Sequence, residues 1–113
     1  MTENVLELPV FKGGKGTVQI KTGLPELGAN HAPAGFGCFR VMTEKDGDKR
    51  YSWDRHDFAQ IQEAKAFFDK CVAEGLVPHR VGVDGRASAE IMVEFDPLAE
   101  EIIFVPVAMV AGG

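Results

Sequence analysis

Between residues 57 and 74 apolar positions recur every three or four residues. Phe58, Ile61, Ala64, Phe68, Cys71 and Val72 fall on one stripe, with Glu63, Asp69, Lys70 and Glu74 mainly outside it. That period predicts an amphipathic helix from about Asp57 to Glu74. Asp57 suits the N-cap, and Gln60, three residues on, occupies the capping-box position. Gly75 is the expected stop, because the residue just past a helix end takes a left-handed conformation that glycine adopts without steric cost. Phe67 lies off the stripe beside Phe68, which makes it a candidate exposed contact residue.

On the rest of the chain after residue 34 the period is two. Phe36 to Thr43 reads as a strand with Phe39 and Val41 on one face and Cys38 and Met42 on the other. A turn over 44–49, centred on Asp46-Gly47, leads to a returning strand from Arg50 to Trp53. His79–Val83 and Ala87–Phe95 flank a second turn signal, Asp84-Gly85-Arg86. Ala87, Ala89, Ile91, Val93 and Phe95 alternate against Ser88, Glu90, Met92 and Glu94, the pattern of a sheet with one wet face. Residues 96–101 read as a single helical turn with Asp96 as cap and Pro97 in first position. Ile102 to Val110 is a strongly apolar last strand. Pro106 cannot donate to a ladder, so an edge position, a bend or a bulge is expected there.

The first 34 residues are built differently. They hold half of the six prolines and five of the thirteen glycines, around two short strand-like pieces, Val5–Leu8 and Thr17–Lys21. So much punctuation cannot sustain a helix, and the apolar surface is too small for a separate core. The expectation is an extended arm (1–34) that orders against another subunit, attached to a compact α+β domain (35–113). In that domain one helix packs on a mostly antiparallel sheet in the order ββα then βββ. Strand addition by the arm would gain main-chain hydrogen bonds and bury Leu6, Leu8, Val10, Phe11, Val18 and Ile20 against a neighbour.

Composition narrows the uses. The 113 residues are 45% hydrophobic and 26% charged, ordinary for one globular domain, with a net charge of −5. An acidic chain whose basic residues are scattered lacks the footprint for phosphates or an anionic bilayer, so nucleic acid and membrane are set aside as partners. The polar, acidic start lacks a basic leader region, and the longest apolar run is far too short to span a bilayer. A cytoplasmic setting follows, with Cys38 and Cys71 as reduced thiols.

Lys12-Gly13-Gly14-Lys15-Gly16-Thr17 departs from the phosphate-loop order, because Gly16 separates Lys15 from Thr17. Gly35-Phe36-Gly37 lacks the third glycine of a dinucleotide fingerprint. His31, His56 and His79 stand far apart, and neither cysteine lies at ligand spacing from another, so no metal and no cofactor is expected. The cluster Asp54-Arg55-His56-Asp57 reads as a helix entrance before it reads as an acid–base pair. Neither Ser52 nor Ser88 has a nucleophile-elbow context, and a non-catalytic protein is the expectation.

Two resemblances add to this reading. Over Phe95 to Gly113, the elements Asp96-Pro97-Leu98, Glu101-Ile102, Val105-Pro106 and the closing Gly112-Gly113 resemble the ubiquitin-like sulfur carriers of the molybdopterin-synthase small-subunit type. That likeness implies a β-grasp fold and a carrier activated at Gly113; the N-terminal stretch has no counterpart in those carriers. From Arg50 to Gly113, the run Tyr51-Ser52-Trp53-Asp54, the helix over Glu63–Asp69, and Glu94-Phe95-Asp96-Pro97 with Glu101-Ile102-Ile103 are similar to small proteins of bacteriophage and prophage gene sets. This second likeness implies a virion component, such as a head-decorating or connector-associated subunit, assembled in the host cytoplasm. Its partners would be capsid or other virion proteins, or copies of itself.

Overall fold

The computed structural model describes residues 4–9, 17–27, 32–43, 47–81 and 87–106. The elements among them run β1 (Asn4–Pro9), β2 (Thr17–Thr22), β3 (Phe36–Thr43), β4 (Gly47–Asp54), α1 (Phe58–Ala73), β5 (Leu76–Val81), β6 (Ala87–Ile91) and β7 (Glu101–Pro106). β1 and β2 form an antiparallel pair; the others make one sheet in the order β4-β3-β7-β5-β6. β3 and β7 are parallel at its middle, and every other pairing is antiparallel. The α+β class expected from the sequence is the one observed. From β3 onward, ββα–βββ takes the strand order of a β-grasp sheet.

The core lies between this sheet and α1. Phe39, Val41, Tyr51, Trp53, Leu76, Ile102 and Phe104 meet Ala64, Phe67, Phe68 and Cys71 of the helix. Phe39 is the hub, its ring centroid 4.5 Å from Trp53, 5.0 Å from Phe67 and 5.6 Å from Phe104, all in the tilted geometry that aromatic quadrupoles favour. The helix stripe is rotated from the one expected. Phe67 is only 1% exposed and Phe58 is 75% exposed. At about 100° per residue, Phe67 and Phe68 fall on either side of the line through Ala64 and Cys71, whereas Phe58 lies about a third of a turn away. Phe67 is therefore a core residue and not the exposed contact expected.

Asp57 caps the helix as anticipated, its carboxylate accepting from the Ala59 and Gln60 N–H groups. Gln60 does not close a capping box; its side-chain oxygen accepts from the Asp54 N–H at 2.9 Å and ties the helix to the end of β4. Gly75, at φ 95°, ends the helix as predicted.

The expected arm is, over its described residues, part of the core. Leu6 faces Ile20 across the β1–β2 ladder, and Leu6, Leu8, Ile20 and Leu24 are buried in the same cluster as Phe39 and Trp53. The physical reason is pairing. Neither strand alone offers enough apolar surface, but side by side each contributes one inward row, which leans on the helix and completes the core. The Gly23 N–H donates to the Glu63 carboxylate at 2.7 Å, and Asn4 Nδ2 donates to the Leu24 carbonyl at 2.7 Å. The chain then runs along the outer edge of β4, where Ser52 N–H donates to the Pro25 carbonyl and Leu27 N–H to the Arg50 carbonyl. That contact covers an edge that would otherwise invite strand pairing.

Further expectations are revised. β7 is a central strand, not an edge; Pro106 is tolerated because it is the last residue, opposite Leu76 and beyond the β3 ladder, which ends at Phe104. β5 begins at Leu76 and so includes Pro78. β6 stops at Ile91, after which Met92 is buried and Val93 is 97% exposed, the reverse of the expected alternation. The register also shifts along β6, with Ile91 opposite His79 but Ala87 opposite Val81. Asp96 caps a turn rather than a helix, its carboxylate accepting from Leu98 N–H at 2.9 Å. Gly47 already pairs with Thr43; residues 44–46 and Asp84-Gly85-Arg86, where turns are expected, lie outside the described residues.

Candidate functional site

The side chains that leave the sheet away from α1 form its second face. Alternation puts Cys38, Arg40 and Met42 of β3, Arg50 and Ser52 of β4, Glu101, Ile103 and Val105 of β7, and Val77, His79 and Val81 of β5 on that side. Among the buried apolar residues, Cys38 and Ile103 stand outside the core cluster, as this placement requires. Among the described residues the major element contacts lie on the other side: α1 contacts β2, β4 and β5; the centre of this face is nonetheless buried, at Ser52, Cys38 and Ile103, and its margins are part-exposed.

The cross-strand registers align the face into rows. Arg50, Arg40, Ile103, His79 and Ile91 are successive lateral neighbours across all five strands. Val105 sits opposite Val77 beside them. One half of the face is thus apolar, and the other half is charged. Arg40 lies 3.7 Å from the Glu101 carboxylate. Burial raises the Cys38 thiol to a pKa of about 11, with Glu101 adding to the effect and the Arg50 and Arg40 guanidinium groups opposing it. The Cys71 thiol in the core is also pushed well up by burial. Neither is a nucleophilic thiolate near neutrality.

Other groupings are structurally committed. Asp54 accepts from the His56 N–H at 2.9 Å, and Asp57 is occupied as the helix cap, so the charged cluster at the helix entrance serves local backbone donors. Among the described residues no group of three or more His, Cys, Asp or Glu is arranged to hold a metal ion. A shallow groove of about 470 Å³ runs past Arg80, Val93, Glu94 and Phe95, and its one cation, Arg80, is paired with Asp96 at 2.7 Å. No helix among the described residues is long and apolar enough to cross a membrane.

The residues expected to grip a partner are placed otherwise. Leu6, Leu8, Ile20 and Phe67 are buried in this chain's own core, so none offers a surface to a neighbour. Val10, Phe11, the Val18 side chain, the Lys12–Gly16 loop and the Gly112-Gly113 pair lie outside the described residues. The chain matches no protein-family model, no curated protein and no solved structure. The open face is what the sequence reading missed, although one signal for it was present. Ile102-Ile103-Phe104-Val105 is apolar at every position, the mark of a strand with both faces covered, and a helix can cover only one of them.

Proposed function

We propose that this chain is a non-catalytic structural or interaction protein that binds another protein through the open face of its five-stranded sheet. The observation that supports this is the part-exposed apolar strip of that face, Met42, Val77 and Val105 with the exposed Ile91, against which no described element makes a major contact. Because these side chains are already part-buried, completing their burial against a partner is worth less than the roughly 1.5–3 kcal/mol of a fully exposed one, before ordering and desolvation costs. The resemblance to bacteriophage gene products supplies the assembly: a virion, with capsid or connector proteins or further copies of the chain as neighbours. The grip moves from the N-terminal hairpin, which is occupied in the core, to the sheet.

Site-specific photo-crosslinking in the producing cells tests this. A photoreactive residue at Val77, on the open face, is expected to give a discrete protein adduct, and one at Gln62, on the exposed side of α1, is not. Adducts only from Gln62, or none from Val77, would remove the sheet face as the docking surface.

The β-grasp strand order favours one second reading, a ubiquitin-like carrier charged at Gly113. Deleting Gly112-Gly113 separates the two, since a carrier would lose all function and an assembly subunit would still join its particle. Incubation with ATP and a carrier-activating enzyme, followed by intact mass measurement, would show a terminal adenylate only in the carrier case.

A further inference from the structure

The two sheets have four outer edges, formed by β4, β6, β1 and β2. That of β4 is covered at Arg50 and Ser52 by residues 25–27. β6 carries a register shift against β5, and such an irregularity spoils a strand as a pairing template. The outer edge of β2 faces α1, where the Lys21 carbonyl accepts from Lys70 Nζ at 3.4 Å and the Gly23 N–H donates to Glu63. β1 has none of these guards. It pairs with β2 in unbroken register from Asn4 to Pro9, and no described strand lies on its other side. Pro9 fixes which way its backbone points. Lacking an N–H, Pro9 forms a non-hydrogen-bonded pair with Thr17, and in an antiparallel ladder such pairs alternate with bonded ones. Leu6 is therefore bonded to Ile20, and Val5 and Glu7 turn their N–H and C=O groups away from β2. The Lys21 carbonyl, opposite Val5, points away from β1 as the same alternation requires. Those groups of Val5 and Glu7 have no partner among the described residues, and both residues are exposed.

We infer that β1 is a self-association edge, along which a second copy of this chain adds its own β1 antiparallel, about a two-fold axis at Leu6. Val5 of each copy then lies opposite Glu7 of the other. A two-fold axis makes a strand edge its own antiparallel complement. This register uses every outward N–H and C=O of Val5 and Glu7, and it keeps the two Glu7 carboxylates from facing one another. Centring on Glu7 would oppose those carboxylates and set Val5 against Pro9, which has no N–H to donate. Centring on Val5 would carry Glu7 past the other copy's strand, which begins at Asn4. Leu6 and Leu8 stay in their own core throughout, since only main-chain groups and exposed side chains meet. A contact made of main-chain bonds with little apolar burial is weak, in the high-micromolar to millimolar range, and gains strength where many copies are held together. β1 belongs to the other sheet, so this contact and docking on the five-stranded sheet stand or fall separately.

Sedimentation equilibrium on the full chain, carried into the millimolar range, tests the inference. The parent is expected to show a reversible monomer–dimer equilibrium. V5K is expected to tighten the dimer by about three-fold or more and V5E to loosen it by as much, because each sets two new charges opposite Glu7 of the other copy. Q62K and Q62E make the same charge changes on the exposed side of α1 and are expected to leave the equilibrium within about two-fold. V5P removes an outward N–H and no bond of the β1–β2 ladder, so it is expected to abolish the dimer while the urea unfolding midpoint stays in place. A parent chain that remains monomeric throughout, a dimer that responds alike to charges at Val5 and at Gln62, or a folded V5P chain that dimerises like the parent overturns the inference.

Discussion

Gly37 of β3 faces Trp53 of β4 across the ladder, and a Cβ on Gly37 would collide with Cζ2, Cε2 and Cη2 of the indole. The indole lies over the glycine backbone, packs against Phe39 and Phe95, and donates its Nε1–H to the Pro97 carbonyl at 3.2 Å. One absent side chain thus lets a large ring join β3 and β4 to the β6–β7 connection. G37A is expected to cost about 1–3 kcal/mol, the range for overpacking a filled core. In urea unfolding, W53L should reduce that cost; an unchanged cost in the double-mutant cycle would mean that Trp53 is not what excludes the methyl group.

The placement of the N-terminal hairpin yields a second expectation. Leu8 is buried among core residues, whereas Val5 on the same strand is 46% exposed. L8A should destabilise the isolated chain by about 2–5 kcal/mol, and V5A should change it by no more than about 0.5 kcal/mol. A hairpin that became ordered only on a neighbouring subunit would leave L8A neutral in the isolated chain.

Thiol chemistry provides an independent reading of the two faces. Burial raises both thiols, Cys38 to about 11, with Cys71 deeper in the core. Labelling of either with a disulfide reagent at pH 7–8 should be slow in the native chain and fast in denaturant. As pH rises toward 11, Cys38 should gain reactivity before Cys71, whose labelling requires opening of the helix–sheet interface. Fast native labelling of Cys71 at neutral pH would contradict its placement.

The β6–β7 connection predicts a pH dependence. Asp96 is held below the usual carboxylate range, first by its hydrogen bond with Arg80 and then by the Leu98 N–H. A carboxylate whose pKa is depressed on folding adds stability above its unfolded pKa, and that contribution disappears as pH falls through the folded value. R80A should raise the Asp96 pKa back toward the ordinary value in a carboxyl NMR titration and flatten the acid limb of the stability profile. The effect is small, because both side chains are 38% exposed and water screens the pair.

Most of this fold was legible in the chain because local chemistry and global packing agree. The helix with its Asp57 cap and Gly75 stop, the first hairpin and the α+β class follow from period, capping and turn residues. What the sequence reading lost are the features that depend on tertiary pairing. Val5–Leu8 and Thr17–Lys21 look too poor in apolar surface to be buried until they are paired and set against α1. Pro106 argues for an edge until the β3 ladder is seen to end at Phe104, two residues before it. The Arg40–Arg50 opposition is invisible in the sequence, where the two residues are ten positions apart and only the register brings them together.

The rotation of the helix stripe gives the sharpest contrast to test. Phe58 and Phe67 are the same residue type on the same helix, and periodicity alone assigns them the wrong way round. Phe67 contacts the rings of Phe39, Tyr51 and Phe104 with centroids 5.0, 5.2 and 6.1 Å away, so F67A removes an aromatic anchor and leaves a cavity. The expected loss is about 3–5 kcal/mol. Phe58 begins the helix with its ring largely in water, so F58A should lie within about 0.5 kcal/mol of the parent. Chemical denaturation of the two variants side by side decides the matter. A larger loss for F58A would restore the stripe that sequence periodicity suggests and overturn the orientation of α1 on which the inner and open faces of the sheet are both assigned.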